Sequence, residues 1–165
     1  MTMEATIDFA NLSKLTAARA GGFSEPYVFE SVGEEQTVAF ARALAAVLEN
    51  RGVIALHGEL GAGKTRFAQG LALSLGVATP VASPTFALIS EYEGQGGRRF
   101  VHMDLYRVSD ADEVAELGFE DLVEHSDLVA IEWPEVARDL LPPDTIHVRI
   151  EHGPGNHRKI QVYAN

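Results

Sequence analysis

The sequence predicts an α/β fold: a single domain built on a mixed, mostly parallel sheet that is flanked by helices. Two observations lead to this fold class. Short apolar runs at 53–57 and 128–132 are typical of central parallel strands that are covered on both faces. Strand-like and helix-like patterns follow one another along the chain, and 165 residues are enough for one core of ordinary size.

The first 26 residues differ in composition from the rest of the chain. They are rich in alanine, threonine and small polar residues, and they end in Gly21-Gly22 and Ser24-Glu25-Pro26. We therefore expect a flexible N-terminal leader at 1–26 and a folded domain at 27–165.

The domain has a clear order of predicted elements. They are a short strand at 27–30, a helix at 31–50, a strand at 53–57, a helix at 64–75, strands at 86–92 and 99–104, one or two helices within 110–125, and strands at 128–132, 145–150 and 159–163. The helix at 31–50 begins with the capping-box spacing of Ser31 and Glu34 and carries apolar residues along one face. The helix at 64–75 also has one apolar face, and a glycine follows it.

The later elements are separated by turn-forming residues. A Glu-Gly-Gln-Gly-Gly stretch lies between the strands at 86–92 and 99–104, so these two strands are expected to form a β-hairpin. Gly118 interrupts the helical region that follows. A Gly-Pro-Gly-Asn turn separates the last two strands.

The glycine-rich stretch at 58–65 carries the strongest functional signal. Its sequence, Gly-Glu-Leu-Gly-Ala-Gly-Lys-Thr, matches the phosphate-binding pattern G-x-x-x-x-G-K-[ST] and stands between a predicted strand and a predicted helix. Glycines let backbone N–H groups turn inward around an anion, and the start of the helix adds positive charge. Lys64 can reach the β- and γ-phosphates, and the Thr65 hydroxyl can bind Mg²⁺. The domain is therefore predicted to be a P-loop NTPase that binds ATP with Mg²⁺.

Two acidic residues at strand ends are candidates for the chemistry beside this loop. Asp104 closes the strand at 99–104 and Glu132 closes the strand at 128–132. Either carboxylate can hold Mg²⁺ while the other orients the attacking water, although a strand-end carboxylate can also be merely solvated. Ser83-Pro84-Thr85 has the composition of a switch loop that senses a γ-phosphate, but it is equally typical of an ordinary turn.

Composition and charge exclude several classes of protein. No cysteine is present, which excludes disulfide scaffolds and thiolate metal sites. No apolar run approaches the roughly 18 residues of a membrane helix and no signal-peptide layout is seen, so we expect a cytoplasmic protein without a membrane partner. The net charge of −11 predicts weak binding to nucleic acid by the chain alone. The six histidines fit no metal-binding spacing.

Several motifs together resemble one known family, over about residues 29–163. They are the loop at 58–65, Ser-Pro-Thr-Phe at 83–86, His-Met-Asp-Leu-Tyr-Arg at 102–107, Glu-Leu-Gly-Phe-Glu-Asp at 116–121 and Ile-Glu-Trp-Pro-Glu at 131–135. In this order and spacing the chain resembles the TsaE family, formerly called YjeE. The resemblance implies a slow ATPase that supports the partner proteins TsaB and TsaD, which modify adenosine 37 of tRNA to threonylcarbamoyladenosine. The tRNA would be met only indirectly, through that complex.

The resemblance also assigns roles to individual residues. The phosphate cradle would be formed by Glu59, Leu60, Gly61, Ala62, Gly63, Lys64 and Thr65. Thr65 and Glu132 would be the Mg²⁺ ligands. Asp104 and Lys64 would be catalytic residues, with Asp104 as the essential acid near the γ-phosphate. Thr85 would be switch-like, Thr37 would lie near the base, and Trp133 would lie beside the site.

Two other functions remain open on the sequence alone. A small-molecule kinase would carry the same phosphate loop, although the chain has no arginine-rich lid of the kind that closes over an acceptor. A nucleotide-dependent binding module, in which hydrolysis is incidental, is the second alternative. A GTPase is disfavoured because the sequence lacks an Asn-Lys-x-Asp string.

Overall fold

The computed structural model describes residues 6–19, 25–84 and 86–164. Within these residues the chain forms one seven-stranded sheet with helices on both faces. The strands are β1 (Tyr27–Ser31), β2 (Gly52–His57), β3 (Ile89–Glu93), β4 (Arg99–Asp104), β5 (Leu128–Glu132), β6 (Ile146–His152) and β7 (Arg158–Ala164). Their order across the sheet is β1-β7-β6-β2-β5-β4-β3.

The sheet is mixed, as predicted, with three parallel and three antiparallel pairings. The four central strands, β6-β2-β5-β4, run parallel to one another. The three outer pairings, β1 with β7, β7 with β6 and β3 with β4, are antiparallel. The β3–β4 hairpin lies at one edge of the sheet, whereas β1 pairs with β7 outside the β6–β7 hairpin and forms the other edge.

The helices of the described residues divide between the two faces of the sheet. They are α1 (Phe9–Leu12), α2 (Lys14–Arg19), α3 (Glu34–Val47), α4 (Lys64–Ser74), α5 (Ala111–Glu116) and α6 (Phe119–Glu124), together with 3-10 helices at Gln95–Gly97 and Pro134–Leu140. Helices α3 and α4 contribute to one core, and α5, α6 and the helix at Pro134–Leu140 contribute to the other. None of the helices in the described ranges is long and apolar enough to cross a membrane.

Strand β5 shows how one sequence fills both cores. All five of its residues are buried. Leu128 and Ala130 belong to the core under α3 and α4, whereas Val129 and Ile131 belong to the opposite core. Successive side chains of a strand point to opposite faces, so a continuous apolar run is what a central strand of such a sheet requires.

The N-terminal segment is packed on the domain where the structure describes it. Leu12 is fully buried and Leu15 is only 2% exposed, and both belong to the core under α3 and α4. The backbone N–H of Asp8 donates to the hydroxyl of Tyr27, with a nitrogen–oxygen distance of 3.0 Å. Residues 6–19 therefore form helices that pack on the domain through two apolar side chains, and the flexibility of the leader at 1–26 stays a prediction.

Two predicted boundaries are also corrected. Ser31 does not cap the first helix of the domain: it ends β1, where it pairs with Arg158, and Gly33 precedes the helix. The hairpin strand expected from residue 86 begins at Ile89. Before it, Leu88 has a φ of +61° and its N–H donates to the carbonyl of Pro84, so this stretch forms a turn.

Candidate nucleotide-binding site

The predicted phosphate loop joins the end of β2 to the start of α4. Gly63 immediately precedes the helix with a φ of +109°, a value that favours glycine. Gly58 has a φ of +155°, and a Cβ atom there would lie 2.7 Å from the carbonyl oxygen of Ile150 on β6. A side chain at position 58 would therefore displace the loop from the end of the sheet.

Arg158 on β7 binds the backbone of this loop through its guanidinium group. Its Nε donates to the carbonyl of Ala62 at 2.9 Å, and Ala62 is fully buried. One guanidinium NH₂ group of the same residue donates to the carbonyl of His157 at 2.8 Å. Sequence analysis did not identify Arg158, because its contact with the loop spans 96 positions of the chain.

Lys64 lies against the loop and an aromatic ring. Its ammonium group donates to the carbonyls of Gly58 and Glu59, and it stands 3.7 Å from the centre of the Trp133 ring. Burial lowers the pKa of Lys64, while the charges of Glu132 and Asp104 act in the opposite direction. The side chain is only 5% exposed, so its charge is held in a partly desolvated place.

The hydroxyl of Thr65 meets the carboxylate of Glu132. Thr65 Oγ1 donates to Glu132 Oε1 at 2.9 Å. The two residues meet because β5 lies beside β2 in the sheet, with Glu132 in register with Leu56, just before the loop. Glu132 is 4% exposed and also contacts Nε2 of the fully buried His102 at 2.9 Å.

Asp104 stands next to Glu132 on the neighbouring strand. The two residues are directly in register between β4 and β5. The hydroxyl of Ser83 donates to Asp104 Oδ2 at 3.0 Å, and the N–H of Tyr106 donates to Oδ1 at 3.1 Å. Both predicted acids therefore lie at one end of the sheet, beside the phosphate loop.

A cavity of about 490 Å³ collects most of the predicted site residues. From the loop and helix start it is lined by Leu60, Gly61, Gly63, Lys64 and Thr65, and from the strand ends by Asp104, Glu132 and Trp133. Trp133 has a φ of +55°, and its ring lies 5.0 Å from the ring of Tyr106. Sequence analysis did not identify Tyr106 as a wall of the cavity, although it belongs to the Asp-Leu-Tyr-Arg string.

Four predicted residues do not line this cavity or cannot be placed. Thr37 is buried on α3, where its hydroxyl is 2.9 Å from the hydroxyl of Ser31. Ala62 of the loop is fully buried, and Glu59 faces an adjacent cavity shared with His57. Thr85, the predicted switch residue, lies outside the described residues. The proposed contact of Thr37 with a base therefore gains no support from the cavity.

Histidines also cluster next to the loop. His57, the last residue of β2, contacts Glu135 Oε1 through Nδ1 at 3.0 Å and His147 through Nε2 at 2.9 Å. The ring of His147 is stacked between those of His57 and Tyr163. Burial, with the neighbouring His57 and Arg138, lowers the pKa of His147 to about 4. Sequence analysis found no role for these histidines, and their positions 90 residues apart carried no spacing signal.

The donor atoms at the cavity suit a hard cation bound together with phosphates. Thr65, Asp104 and Glu132 offer only oxygen, which Mg²⁺ prefers. Among the described residues no group of three or more acidic, histidine or cysteine side chains could hold a metal ion. Mg²⁺ commonly binds through one or two carboxylates, with waters and substrate phosphates completing its shell, so the residues present fit it.

Comparisons with known proteins agree on one family. The model of the family "Threonylcarbamoyl adenosine biosynthesis protein TsaE" matches residues 31–160. The chain is 42% identical over 132 residues to the tRNA threonylcarbamoyladenosine biosynthesis protein TsaE of Aquifex aeolicus, covering 79% of this chain and 90% of that protein. It is 35% identical over 136 residues to the protein of the same name from Bacillus subtilis, covering 82% and 84%. The crystal structure of Bacillus subtilis YdiB superposes with a TM-score of 0.70 at 29% identity, covering 85% of this chain and 86% of that one.

Proposed function

This chain belongs to the TsaE family of threonylcarbamoyladenosine biosynthesis proteins, and on that premise we propose that it is an Mg²⁺-dependent P-loop ATPase. The family acts in the biosynthesis of threonylcarbamoyladenosine in tRNA. The slow hydrolysis of ATP by this chain would support the TsaB–TsaD complex, and it would not perform the transfer to tRNA itself.

One observation carries the proposal. The hydroxyl of Thr65 and the carboxylate of Glu132 meet at 2.9 Å, beside a cavity that Lys64 also lines. A P-loop hydroxyl beside a strand-end carboxylate is the pair of groups that such enzymes use around Mg²⁺. The two residues are 67 positions apart, so their meeting is a property of the fold and not of one motif.

The residues of the cavity divide the work of binding. Backbone N–H groups of the loop and the first turn of α4 attract phosphate oxygens, and the 11-residue helix adds the positive end of its dipole. When the nucleotide binds, the ammonium group of Lys64 gives up its hydrogen bonds to the carbonyls of Gly58 and Glu59 and donates to the β- and γ-phosphates instead. When bound, Mg²⁺ supplies positive charge that offsets the charge developing on the transferred phosphoryl group.

Asp104 acts on the water that attacks the γ-phosphate. Its carboxylate is held by Ser83 and by the N–H of Tyr106, and it faces the same cavity as Lys64. A fixed carboxylate can orient a water molecule and take its proton as the bond between the γ-phosphorus and the bridging oxygen breaks. The products are ADP and inorganic phosphate.

The surroundings of Arg66 and Arg107 support the proposal that the isolated chain hydrolyses ATP slowly. Arg66 at the cavity pairs with Glu34 at 3.2 Å, and the guanidinium of Arg107 lies 5.1 Å from the centre of the exposed Phe86 ring. Both arginines line the cavity, and these contacts engage them with Glu34 and Phe86. An arginine directed at the phosphates accelerates phosphoryl transfer by roughly 10³–10⁵-fold, so closure driven by a partner would have a large effect.

Phosphate release from ATP tests the proposed function directly. Release is measured with Mg²⁺, with and without TsaB and TsaD, and with Thr65→Ala as the matched variant. We expect slow release that rises with the partners and that falls at least tenfold in the variant. No effect of the partners, combined with transfer of phosphate to a small hydroxylated metabolite, would instead identify a small-molecule kinase.

A further inference from the structure

His102 is buried beside Glu132, which is its one acidic partner among the residues that the structure describes. It lies on β4 opposite Ala130 of β5, two positions before Asp104, so its side chain and that of Glu132 share a face of the sheet as diagonal neighbours. Its Nε2 lies 2.9 Å from Glu132 Oε1, and the two residues are 0% and 4% exposed. The mechanism proposed above assigns no role to His102.

The direction of this hydrogen bond follows from the chemistry of the two groups. A carboxylate only accepts, so Nε2 carries the hydrogen and donates it to Oε1. The other ring nitrogen, Nδ1, is buried and has no hydrogen-bond partner within the described residues. Among the described residues, the hydrogen bonding of the ring therefore serves Glu132 alone.

Glu132 Oε1 receives two donors, and they fix the plane of the carboxylate. The hydroxyl of Thr65 and the ring of His102 both donate to this oxygen at 2.9 Å. Oε2 makes no hydrogen bond within the described residues, although Glu132 lines the cavity. The last torsion of a glutamate side chain is broad, so without fixed donors the carboxylate would turn freely.

We propose that His102 is a positioning residue that turns Oε1 of Glu132 inward and presents Oε2 to the Mg²⁺ of the bound nucleotide. The inference rests on the proposed function and extends it to a residue outside the phosphate loop. It also explains the place of His102, because a Mg²⁺ ion binds with strict geometry and gains from ligands that are already oriented.

The test separates binding of the metal from binding of the nucleotide. The variants are His102→Leu, which removes the donor, and His102→Gln, whose amide nitrogen can reach the position of Nε2. His147→Leu is the matched control, because His147 is also a buried histidine in the sheet and does not contact Glu132. Binding of Mn²⁺ is followed by electron paramagnetic resonance with a non-hydrolysable ATP analogue present, and binding of the analogue is measured separately in EDTA.

We expect His102→Leu to weaken Mn²⁺ binding by about 10- to 100-fold, because that is the usual loss when the partner of a metal ligand is removed. Binding of the analogue in EDTA should change less than about twofold in the same variant, and His102→Gln should restore most of the Mn²⁺ affinity. Unchanged Mn²⁺ affinity in His102→Leu overturns the inference. Parallel loss of both affinities overturns it too, since that result indicates a purely structural role.

A measurement on the wild-type chain does not depend on how the variants fold. The ¹⁵N shifts of the His102 ring should identify a protonated Nε2 and a bare Nδ1, both without nucleotide and in the Mg²⁺ complex of the analogue. The opposite tautomer contradicts the inference. Wild-type protein that binds neither the analogue nor Mn²⁺ contradicts the proposed function itself, which is a distinct outcome.

Discussion

Burial of Lys64 disfavours the charge of its ammonium group. The ammonium group is paired with loop carbonyls and the Trp133 ring, and no carboxylate forms an ion pair with it among the described residues. Glu132, Asp104 and Glu135 support the charge from a distance, but burial has the larger effect on its pKa. A phosphate group would therefore meet a cation that is short of direct anionic partners.

The lowered pKa of Lys64 predicts how nucleotide binding depends on alkaline pH. A lysine with a lowered pKa loses its proton below the ordinary value of 10.5, and phosphate oxygens bind only its charged form. We expect ATP affinity to fall by roughly 10- to 100-fold as pH rises toward 10.5, since a hydrogen bond to a charged group contributes about 1.5–3 kcal/mol. Titration calorimetry measures this, with Lys64→Arg as the control that keeps its charge throughout. A wild-type affinity that stays constant up to pH 10.5 would contradict the prediction.

The residues of the site differ in how well the sequence could reveal them. Lys64 and Thr65 belong to a continuous motif, and Asp104 and Glu132 each end an apolar run, so local strings were enough. His102 and Arg158 could not be found this way, because their partners lie 30 and 96 positions away. Their roles depend on the strand order, which brings β4 beside β5 and β7 close to the loop.

At the scale of elements, the strands and helices with continuous patterns lie close to where they were predicted. Errors occur where pairing decides a boundary that local residues leave open. Ser31 has the spacing of a capping box, but its pairing with Arg158 keeps it in β1. The hairpin partner of β4 begins only at Ile89, where pairing with Met103 starts. The 3-10 helix at Pro134–Leu140 was missed because seven residues are too short to show a helical period.

The N-terminal helices provide a prediction about stability. Leu12 and Leu15 are buried in the larger core, whereas Phe9 on the same segment is 56% exposed. We expect Leu12→Ala and Leu15→Ala each to lower the free energy of unfolding by about 2–4 kcal/mol, because each leaves a cavity in the core. Phe9→Ala is the matched control and should cost less than about 1 kcal/mol. Urea unfolding monitors all three, and losses below about 0.5 kcal/mol for both leucines would show that the segment does not dock.

A row of three stacked rings across β2, β6 and β7 predicts that the folded chain loses stability in acid. His147 is stacked between His57 and Tyr163, and Arg138 is the charged neighbour that helps to lower its pKa to about 4. In the unfolded chain the same histidine binds a proton below its ordinary value of 6.5. Stability from this group is therefore complete above pH 6.5 and is lost as pH falls from 6.5 to 4.

The size of this effect is bounded by the shift in pKa. It can reach about 3 kcal/mol, and less if solvent enters the stack. Urea unfolding of wild type and His147→Gln at pH 7.5 and pH 4.5 measures it, because the other titrating groups are common to both proteins. We expect the stability difference between the two pH values to be smaller in the variant. An equal pH dependence in the two proteins would show that His147 titrates normally.

At the scale of the whole molecule, the net charge of the chain disfavours phosphate, whereas the proposed site favours it. The chain carries a net charge of −11, which repels polyanions at long range. The proposed phosphate site would work against this field through short-range donors: the N–H groups at the start of α4 and the partly buried Lys64. Such donors act on one group of phosphates enclosed in a cavity, and they cannot neutralise a backbone that extends over many nucleotides.

This contrast predicts how the chain treats tRNA. We expect no binding of tRNA by the chain alone at about 0.15 M salt, and retention only in the presence of TsaB and TsaD. Salt provides the control: a basic protein binds nucleic acid more tightly as salt is lowered, whereas this chain should not, because weaker screening strengthens its repulsion from phosphate. Filter binding of labelled tRNA from 0.05 to 0.2 M salt, with ATP and Mg²⁺ held constant, distinguishes the two cases. Tight binding that strengthens at low salt would mean that a local basic surface overcomes the net charge, and the chain would then contact tRNA directly.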